Sequence, residues 1–506
     1  MKNRFLYIGA LALTFMSTGC EEEFLDKQPT EQLSPEQIAI AAETDPSLLN
    51  AFTAGLYSTM YNTGTGGTTG HDDFGQKGYD IYSDMLASDM VLSAINYGWY
   101  STVARYQATT NNTLDDAYQP WRYYYRIIFG ANTLIGILGG NDAVLDTPEE
   151  EYIMGQAKAM RAYGYFYLSQ FYAQGYGTGS EKILPIYVDT EAPAQPLSTS
   201  EEVYSLMVSD LEEAITLLEG FDRSAKNEVN QEVAKGLLSY VLAARGTQSD
   251  LQRVVELTND IITDGGYSLM TKNQLAAQFD ADGNILNRDA AGFNDVSNQS
   301  WIWGVDLTLD IGLDLVSWWG QVDLFTYSYA WAGDPKAIDA SLYAAIPADD
   351  IRKKQFVPTT NSRNLMPLNK FYAPDRRIGG QRNVVTDYVY MRLEEIYLLN
   401  AEAKARLGMD AEAREMLKML VSTRVADASY IDALSGQALL NEIFLQTRIE
   451  LWGEGKSYLA MKRLKQSITR GSNHLFFPGE TFSWNDDELT FPIPQAEILN
   501  NPALNQ

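Results

Sequence analysis

Two histidines, one cysteine and a large excess of carboxylates set the chemistry open to this chain. His71 and His474 lie far apart, and Cys20 is the only thiol in 506 residues. A His-rich or Cys-rich metal site therefore lacks ligands. A serine triad would need one of the two histidines as its base, and no G-x-S-x-G turn presents a nucleophile. Among catalytic chemistries only a carboxylate pair stays open. Such a pair hydrolyses glycosidic bonds when its members stand about 5 Å or roughly 6.5–9.5 Å apart.

The other chemistry in view is binding without reaction. A sugar ring offers a flat C–H face and a hydroxyl rim, so its site needs exposed aromatic rings flanked by amides and acids. Asn96, Tyr97 and Trp99 supply that combination on a turn centred on Gly98. Trp318 and Trp319 are adjacent and cannot share one face, so one is expected to pack and the other to be exposed. Trp331, near Gly333 and Asp334, is a further candidate. Trp301 and Trp303 belong to a strictly alternating run through Val305, Leu307, Leu309 and Ile311, which predicts one extended segment with a buried face. Trp121 and Trp452 sit in helical patterns and read as core.

Other motifs carry less. Gly64 to Gly70, GTGGTTG, has the glycine density of a phosphate loop but not its spacing, and reads as a mobile loop. Asp280-Ala-Asp-Gly-Asn284 hints at calcium, yet glycine stands where a spacer belongs and no bidentate Glu follows, so a plain turn is expected. No cofactor is expected. Arg161, Arg392, Glu394, Arg448, Glu450 and Glu454 lie within helical patterns, where ion pairs and caps are the better reading than catalysis.

The elements that must position these residues are mostly helices. Tyr79 to Ala94 is expected to be helical. Ile153, Ala157, Met160, Gly164, Leu168 and Phe171 recur at three- and four-residue steps. Thr199-x-x-Glu202 is a capping box opening the next helix. Two regions repeat each other. Val241-Leu-Ala-Ala-Arg-Gly leads into Leu251-Gln-Arg-Val-Val-Glu-Leu, and Ala403-Lys-Ala-Arg-Leu-Gly leads into Ala411-Glu-Ala-Arg-Glu-Met-Leu. Each is a helix ending in small residues and a glycine C-cap, then a short turn and an antiparallel partner, the grammar of tetratricopeptide-like pairs. The fold class is mainly α, a helical-pair scaffold with a large loop-rich insert at 271–390 that contains short extended segments. There Asp334-Pro335 could cap a short helix ending before Pro347. Helical parts are expected at 36–270 and 391–506, beginning at a Ser34 cap.

Residues 1–19 read as a signal peptide: Lys2 and Arg4, then an apolar run from Phe5 to Met16, too short to span a bilayer as a helix. Residues 20–35 form an acidic tether. The net charge of −28 argues against nucleic acid, whose phosphates need Lys and Arg clusters. A cysteine at the cut point resembles the lipobox of a bacterial lipoprotein, which makes Cys20 a lipidation site and the acyl anchor the membrane contact.

Four stretches together resemble the SusD/RagB family of Bacteroidetes outer-membrane lipoproteins. They are Arg161-Ala-Tyr-Gly-Tyr-Phe-Tyr-Leu with Tyr176-Gly177 and Leu184-Pro185-Ile186; Tyr390-Met-Arg-Leu-Glu-Glu-Ile-Tyr-Leu-Leu-Asn-Ala-Glu-Ala; Arg448-Ile-Glu-Leu-Trp-Gly-Glu-Gly; and Phe491-Pro-Ile-Pro with Glu497 and Asn501-Pro502. The resemblance implies a tetratricopeptide-like scaffold bearing a glycan-binding face, and partnership with a SusC-like TonB-dependent transporter. It also implies outer-membrane anchoring facing the cell exterior, since the acids after Cys20 resemble a surface-export signal. A lipid-anchored glycoside hydrolase, a peptide binder and a pure transporter scaffold are the alternative readings.

Overall fold

The computed structural model describes residues 47–324, 327–357, 364–372 and 383–505. The chain divides into two units, Met1–Leu49 and Asn50–Gln506. Only Ser47–Leu49 of the first is described, so Cys20, the leader, the tether and the Ser34 helix start lie outside the described residues. Among the described residues no helix is long and apolar enough to cross a membrane.

The longer helices among the described residues are α1 (Ser47–Ser58), α2 (Gln76–Leu86), α3 (Asp115–Ile137), α4 (Pro148–Tyr172), α5 (Ser200–Leu217), α6 (Gln231–Arg245), α7 (Gln248–Asp264), α8 (Leu393–Arg406), α9 (Asp410–Val421), α10 (Gly436–Glu450) and α11 (Ser457–Arg463). Four two-stranded antiparallel ribbons accompany them, of which three matter here. They pair β1 (Met90–Leu92) with β5 (Lys336–Ile338), β2 (Lys182–Pro185) with β3 (Leu197–Thr199), and β4 (Trp301–Val305) with β6 (Tyr388–Arg392). The fold is helix-dominated and tetratricopeptide-like, as the sequence predicts.

Local chemistry explains most boundaries. At the start of α5, Thr199 Oγ1 accepts from the Glu202 N–H and the Glu202 carboxylate accepts from the Thr199 N–H, the expected capping box. Gly246 and Gly408 end the first helices of the two repeats with φ of +72° and +78°, where a Cβ would be strained. These tight exits let α6 turn into α7 and α8 into α9, and α7 packs on α8 to join the two pairs.

Several expectations need correction. The helix expected through Ala94 stops at Leu86, and 90–92 is a strand, because Val91 and its neighbours pair with Ala337. The alternating run from Trp301 is a strand only to Val305, and all five of its residues are buried on both faces. Beyond it Leu309 starts a 3-10 turn and is 63% exposed. In 271–390 no described helix exceeds the six residues of Ala340–Ala345.

The polar residues of the helical signatures form one buried ionic network. Arg392 Nη1 lies 2.8 Å from Glu450 Oε1 and 3.0 Å from Glu394, while its Nε lies 2.7 Å from Glu454. Arg424 reaches Glu450 at 2.8 Å and Glu394 at 3.1 Å. From the insert, Arg352 bonds Glu450 at 3.0 Å and Asp350 at 2.6 Å, and Lys370 bonds Glu454 at 2.8 Å. The four cations face four carboxylates, so the cluster is neutral and every charge has a hydrogen-bonded partner, the condition for tolerating buried ions. Arg161 with Asp210, at 2.6 Å, and Arg448 with Asp89, at 2.6 Å, are separate pairs. These residues are structural, as expected, although Arg392 ends β6 and Glu454 lies in the turn after α10 rather than within a helix.

Two outcomes follow for stability. Glu450→Gln leaves three arginines short of a carboxylate and should cost about 3–5 kcal/mol in denaturant titrations; a loss under about 1 kcal/mol would show the network to be dispensable. Burial alone would raise the Glu454 carboxyl, but Arg392 and Lys370 outweigh it and hold it at about 2 against an ordinary 4.5. Its contribution is therefore present above about pH 4.5 and lost as pH falls toward 2. Glu454→Gln should flatten that part of the acid-unfolding curve.

Candidate functional site

The β1–β5 ribbon sets up the aromatic loop. Its register, Met90 against Ile338 and Leu92 against Lys336, delivers residues 93–99 beside residues 328–335. There the fully buried Asp334 carboxylate accepts from the backbone N–H groups of Asn96, Tyr97 (3.0 Å) and Gly98 (2.9 Å). Gly98 at φ +92° turns the chain so that the three N–H groups converge. Asp334 thus clasps this loop rather than capping a helix, and Asp339 caps Ala340–Ala345 instead by accepting from the Leu342 N–H at 2.8 Å. The Asn96 side chain donates to the Ala332 carbonyl at 2.9 Å.

The clasp presents rings outward. Tyr97 is 62% exposed. Trp99 is half-buried and stacks on His71, centroids 5.3 Å apart and planes within 4°. His71 Nδ1 lies 2.6 Å from the Tyr329 hydroxyl, and Tyr329 in turn meets Tyr97 edge-on at 5.2 Å. His71 is thus a support for the ring cluster, a role its type did not suggest. Trp331 is 44% exposed on the adjoining turn, against Tyr327 at 5.8 Å, and does not line the cleft described below.

Trp318 and Trp319 are both buried, which corrects the expectation that one would be exposed. They open a five-residue helix, Trp318–Val322, whose Ser317 cap accepts from the Gly320 N–H at 3.0 Å. Gly320 lies so close to the Leu315 carbonyl that no Cβ would fit, so the turn is covered on both sides. Trp318 meets Phe371 at 5.4 Å, and Trp319 Nε1 donates to the Thr386 carbonyl at 2.6 Å. Neither ring can serve as a platform. Trp301, Trp303, Trp121 and Trp452 are core, as expected.

Beside the aromatic loop lies an open cleft of about 680 Å³, within the usual range for ligand sites. One wall is Tyr97 to Tyr100, another is Thr68 to Gly70 with Asp72, and the third is the first two turns of α3 with Asp115, Asp116, Gln119 and Arg122. The glycine-rich wall is tied down, contrary to the mobile loop expected. Asp73 accepts from the Gly66 N–H at 2.7 Å and from the Thr68 N–H and hydroxyl at 2.9 Å each. Of two consecutive aspartates, one holds the loop and the other faces the cleft. Sequence reasoning passed over Asp72, Gln119 and Arg122; the three-residue step from Gln119 to Arg122 on one helix face was the available signal.

Five polar atoms on four side chains of this cleft are buried with no hydrogen-bond partner among the described residues: Asp72 Oδ1, Tyr100 Oη, Gln119 Oε1, and Arg122 Nε and Nη2. Unpaired buried polar groups are costly, and a cluster of them points to a polar ligand. Burial and the nearby Asp116 push the Asp72 carboxyl up to about 8, so at neutral pH it carries a proton and can donate. Donors and acceptors therefore alternate around the cleft, beside aromatic faces. Among the described residues no three His, Cys, Asp or Glu side chains are placed to hold a metal. The Asp280 carboxylate is occupied by the N–H groups of Asp282 (2.9 Å) and Asn284 (2.8 Å), a plain turn.

The structure is a mainly helical scaffold carrying an aromatic-walled polar cleft, and comparison with known proteins finds similar chains. Residues 352–506 match the model of the SusD family, and residues 23–242 match the model described as starch-binding, associating with outer membrane. A SusD-like protein of Bacteroides ovatus is 25% identical, with the alignment covering all of this chain and 98% of the relative. The SusD-like protein P25 of Formosa agariphila is 24% identical over 59% of this chain and 51% of its own length. Among solved structures, the fold is similar to a SusD-like carbohydrate binding protein from Bacteroides vulgatus (TM-score 0.73, 24% identity, 90% of this chain and 96% of that one). It is also similar to surface glycan-binding protein A from Bacteroides uniformis (TM-score 0.65, 17% identity, 91% and 98%). The resemblance to the SusD/RagB family thus holds through two models that match the N-terminal and C-terminal parts of the chain.

The clasp can be tested directly. Asp334→Ala removes the acceptor for three N–H groups and should cost about 1–3 kcal/mol of stability. It should also raise amide exchange at Asn96, Tyr97 and Gly98 while leaving α6 to α9 protected. Unchanged exchange at those three amides would remove Asp334 from its role.

Proposed function

We propose that this chain is a cell-surface lipoprotein that binds oligosaccharide in the cleft between the Tyr97–Trp99 loop and α3, and delivers it to a partner TonB-dependent outer-membrane transporter without chemical change. The observation that carries the binding half is the set of unpaired polar atoms on Asp72, Tyr100, Gln119 and Arg122 beside the exposed ring of Tyr97 and the half-buried ring of Trp99. A polyhydroxylated ring is the ligand class that meets both needs. Each hydroxyl donates and accepts, and the C–H face covers an aromatic ring.

The non-catalytic reading is supported by the match to a starch-binding family model. The family match to a starch-binding, outer-membrane-associated model supports the ligand class and the membrane location. The transporter partner and the outward orientation rest on the family resemblance, and the anchor rests on Cys20.

Calorimetry against a panel of neutral oligosaccharides tests the binding claim. Trp99→Ala should weaken the best ligand about tenfold or more, equivalent to about 1.4 kcal/mol, with little change in thermal stability. If peptides bind and no glycan does, the ligand class is wrong; release of reducing ends would make the protein a hydrolase. Affinity should also fall as pH rises through about 8, where Asp72 loses the proton it donates, and Asp72→Asn should abolish that dependence. Cys20→Ala should release the protein from the outer membrane of cells lacking the transporter, without altering its fold. Persistent membrane association there would contradict the anchor.

A further inference from the structure

A second cavity, of about 520 Å³, lies away from the aromatic cleft, where the ends of α4, α6, α8 and α11 meet the segments 174–183 and 484–490. Its lining reverses the character of the chain. The protein carries 38 basic against 66 acidic residues, yet six basic side chains line this cavity: Lys182, Arg245, Arg406, Lys462, Arg463 and Lys465. Glu181 is the only acid in the lining, and its carboxylate is already engaged by the Thr178 N–H and hydroxyl.

The nearby acids do not neutralise this group. Arg245 is matched by Asp250 at 2.6 Å, and Lys182 stands 3.9 Å from Glu202 in solvent. Arg406 (3.2 Å) and Arg463 (2.8 Å) share the single carboxylate of Glu402. The Arg463 side chain is 4% exposed, and its Nη1 is buried with no hydrogen-bond partner among the described residues. Lys462 is held by the carbonyls of Gln170 (2.6 Å) and Ala173 and by the hydroxyls of Tyr458 (3.2 Å) and Thr490 (3.4 Å), and it pairs with no carboxylate among the described residues. Burial accordingly lowers its ammonium to about 7. Buried charge without a counter-charge is costly unless a ligand supplies one.

The rim adds an aromatic face. The half-buried Trp484 carries Lys465 Nζ 5.4 Å from its ring centroid. We infer that this cavity is an anion site, taking the carboxylate or sulfate group of an acidic sugar, with Arg463 Nη1 and Lys465 as its donors and Trp484 against the ring. The site is distinct from the neutral cleft beside Trp99, so either can stand without the other.

The test is calorimetry on the full-length soluble domain with three probes: D-glucuronate, inorganic sulfate and, as neutral control, D-glucose. The expected result is that glucuronate or sulfate binds and glucose does not compete. The double variant Lys465→Gln/Trp484→Ala, both positions being at the rim, should weaken the anion at least about tenfold while keeping the thermal midpoint and the affinity of the Trp99 cleft for its own ligand. Binding of glucuronate but not sulfate assigns the site to a sugar acid; equal binding of both assigns it to the anionic group alone. Either supports the site. No binding of either anion, or anion binding that survives the double variant but is lost in Trp99→Ala, overturns it.

Discussion

The matched cluster of Arg352, Lys370, Arg392 and Arg424 with Asp350, Glu394, Glu450 and Glu454 is the interaction on which the rest depends. Charges this deeply buried are tolerable only as a complete set, because removing one member strands another in a low-dielectric interior. Its members come from both kinds of structure: Arg392, Glu394, Glu450 and Glu454 from the helical signatures, Arg352 and Lys370 from the loop-rich insert. The cluster therefore fastens a segment with little secondary structure of its own to a rigid helical frame. From that fastened segment, β5 and Asp334 reach across to hold the loop bearing Tyr97 and Trp99. Stability at the core and geometry at the site are linked by this path.

Much of the helical frame was legible in the sequence, and the reason is periodic burial. The stripes of α4 to α10, the Thr199 box and the two glycine exits are local signals whose meaning does not depend on distant residues. The structural role of Glu394 and Glu450 was legible too, since their spacing placed them inside helices; Arg392 instead ends β6. What failed was everything decided by long-range pairing. The strand at Met90–Leu92 exists because residues 336–338 lie beside it, more than two hundred positions away. Asp334 reads as a helix cap until its acceptor role across that distance is seen. One of Trp318 and Trp319 was expected at the surface because adjacency forbids a shared face; both are buried instead, with Phe371 and Thr386 of the insert and Lys77 outside it covering them.

The site divides in the same way. Tyr97 and Trp99 announced themselves by type and by the turn around Gly98. Asp72, Gln119 and Arg122 did not, because an unpaired buried atom is a property of packing and has no residue-type signature. The glycine-rich stretch at 64–70 misled for a related reason: glycine density suggests freedom, but Asp73 spends its carboxylate on fixing that freedom in one shape. Two cavities of opposite character result on one acidic chain. One balances donors and acceptors beside aromatic rings, and the other gathers six basic side chains.

The most direct measurement is a crystal structure of the protein soaked with the best-binding neutral oligosaccharide. The account predicts a sugar ring lying against Trp99 or Tyr97, with its hydroxyls within hydrogen-bond distance of Asp72, Gln119 and Arg122. Ligand density at another face, with those side chains still unpaired, would contradict it.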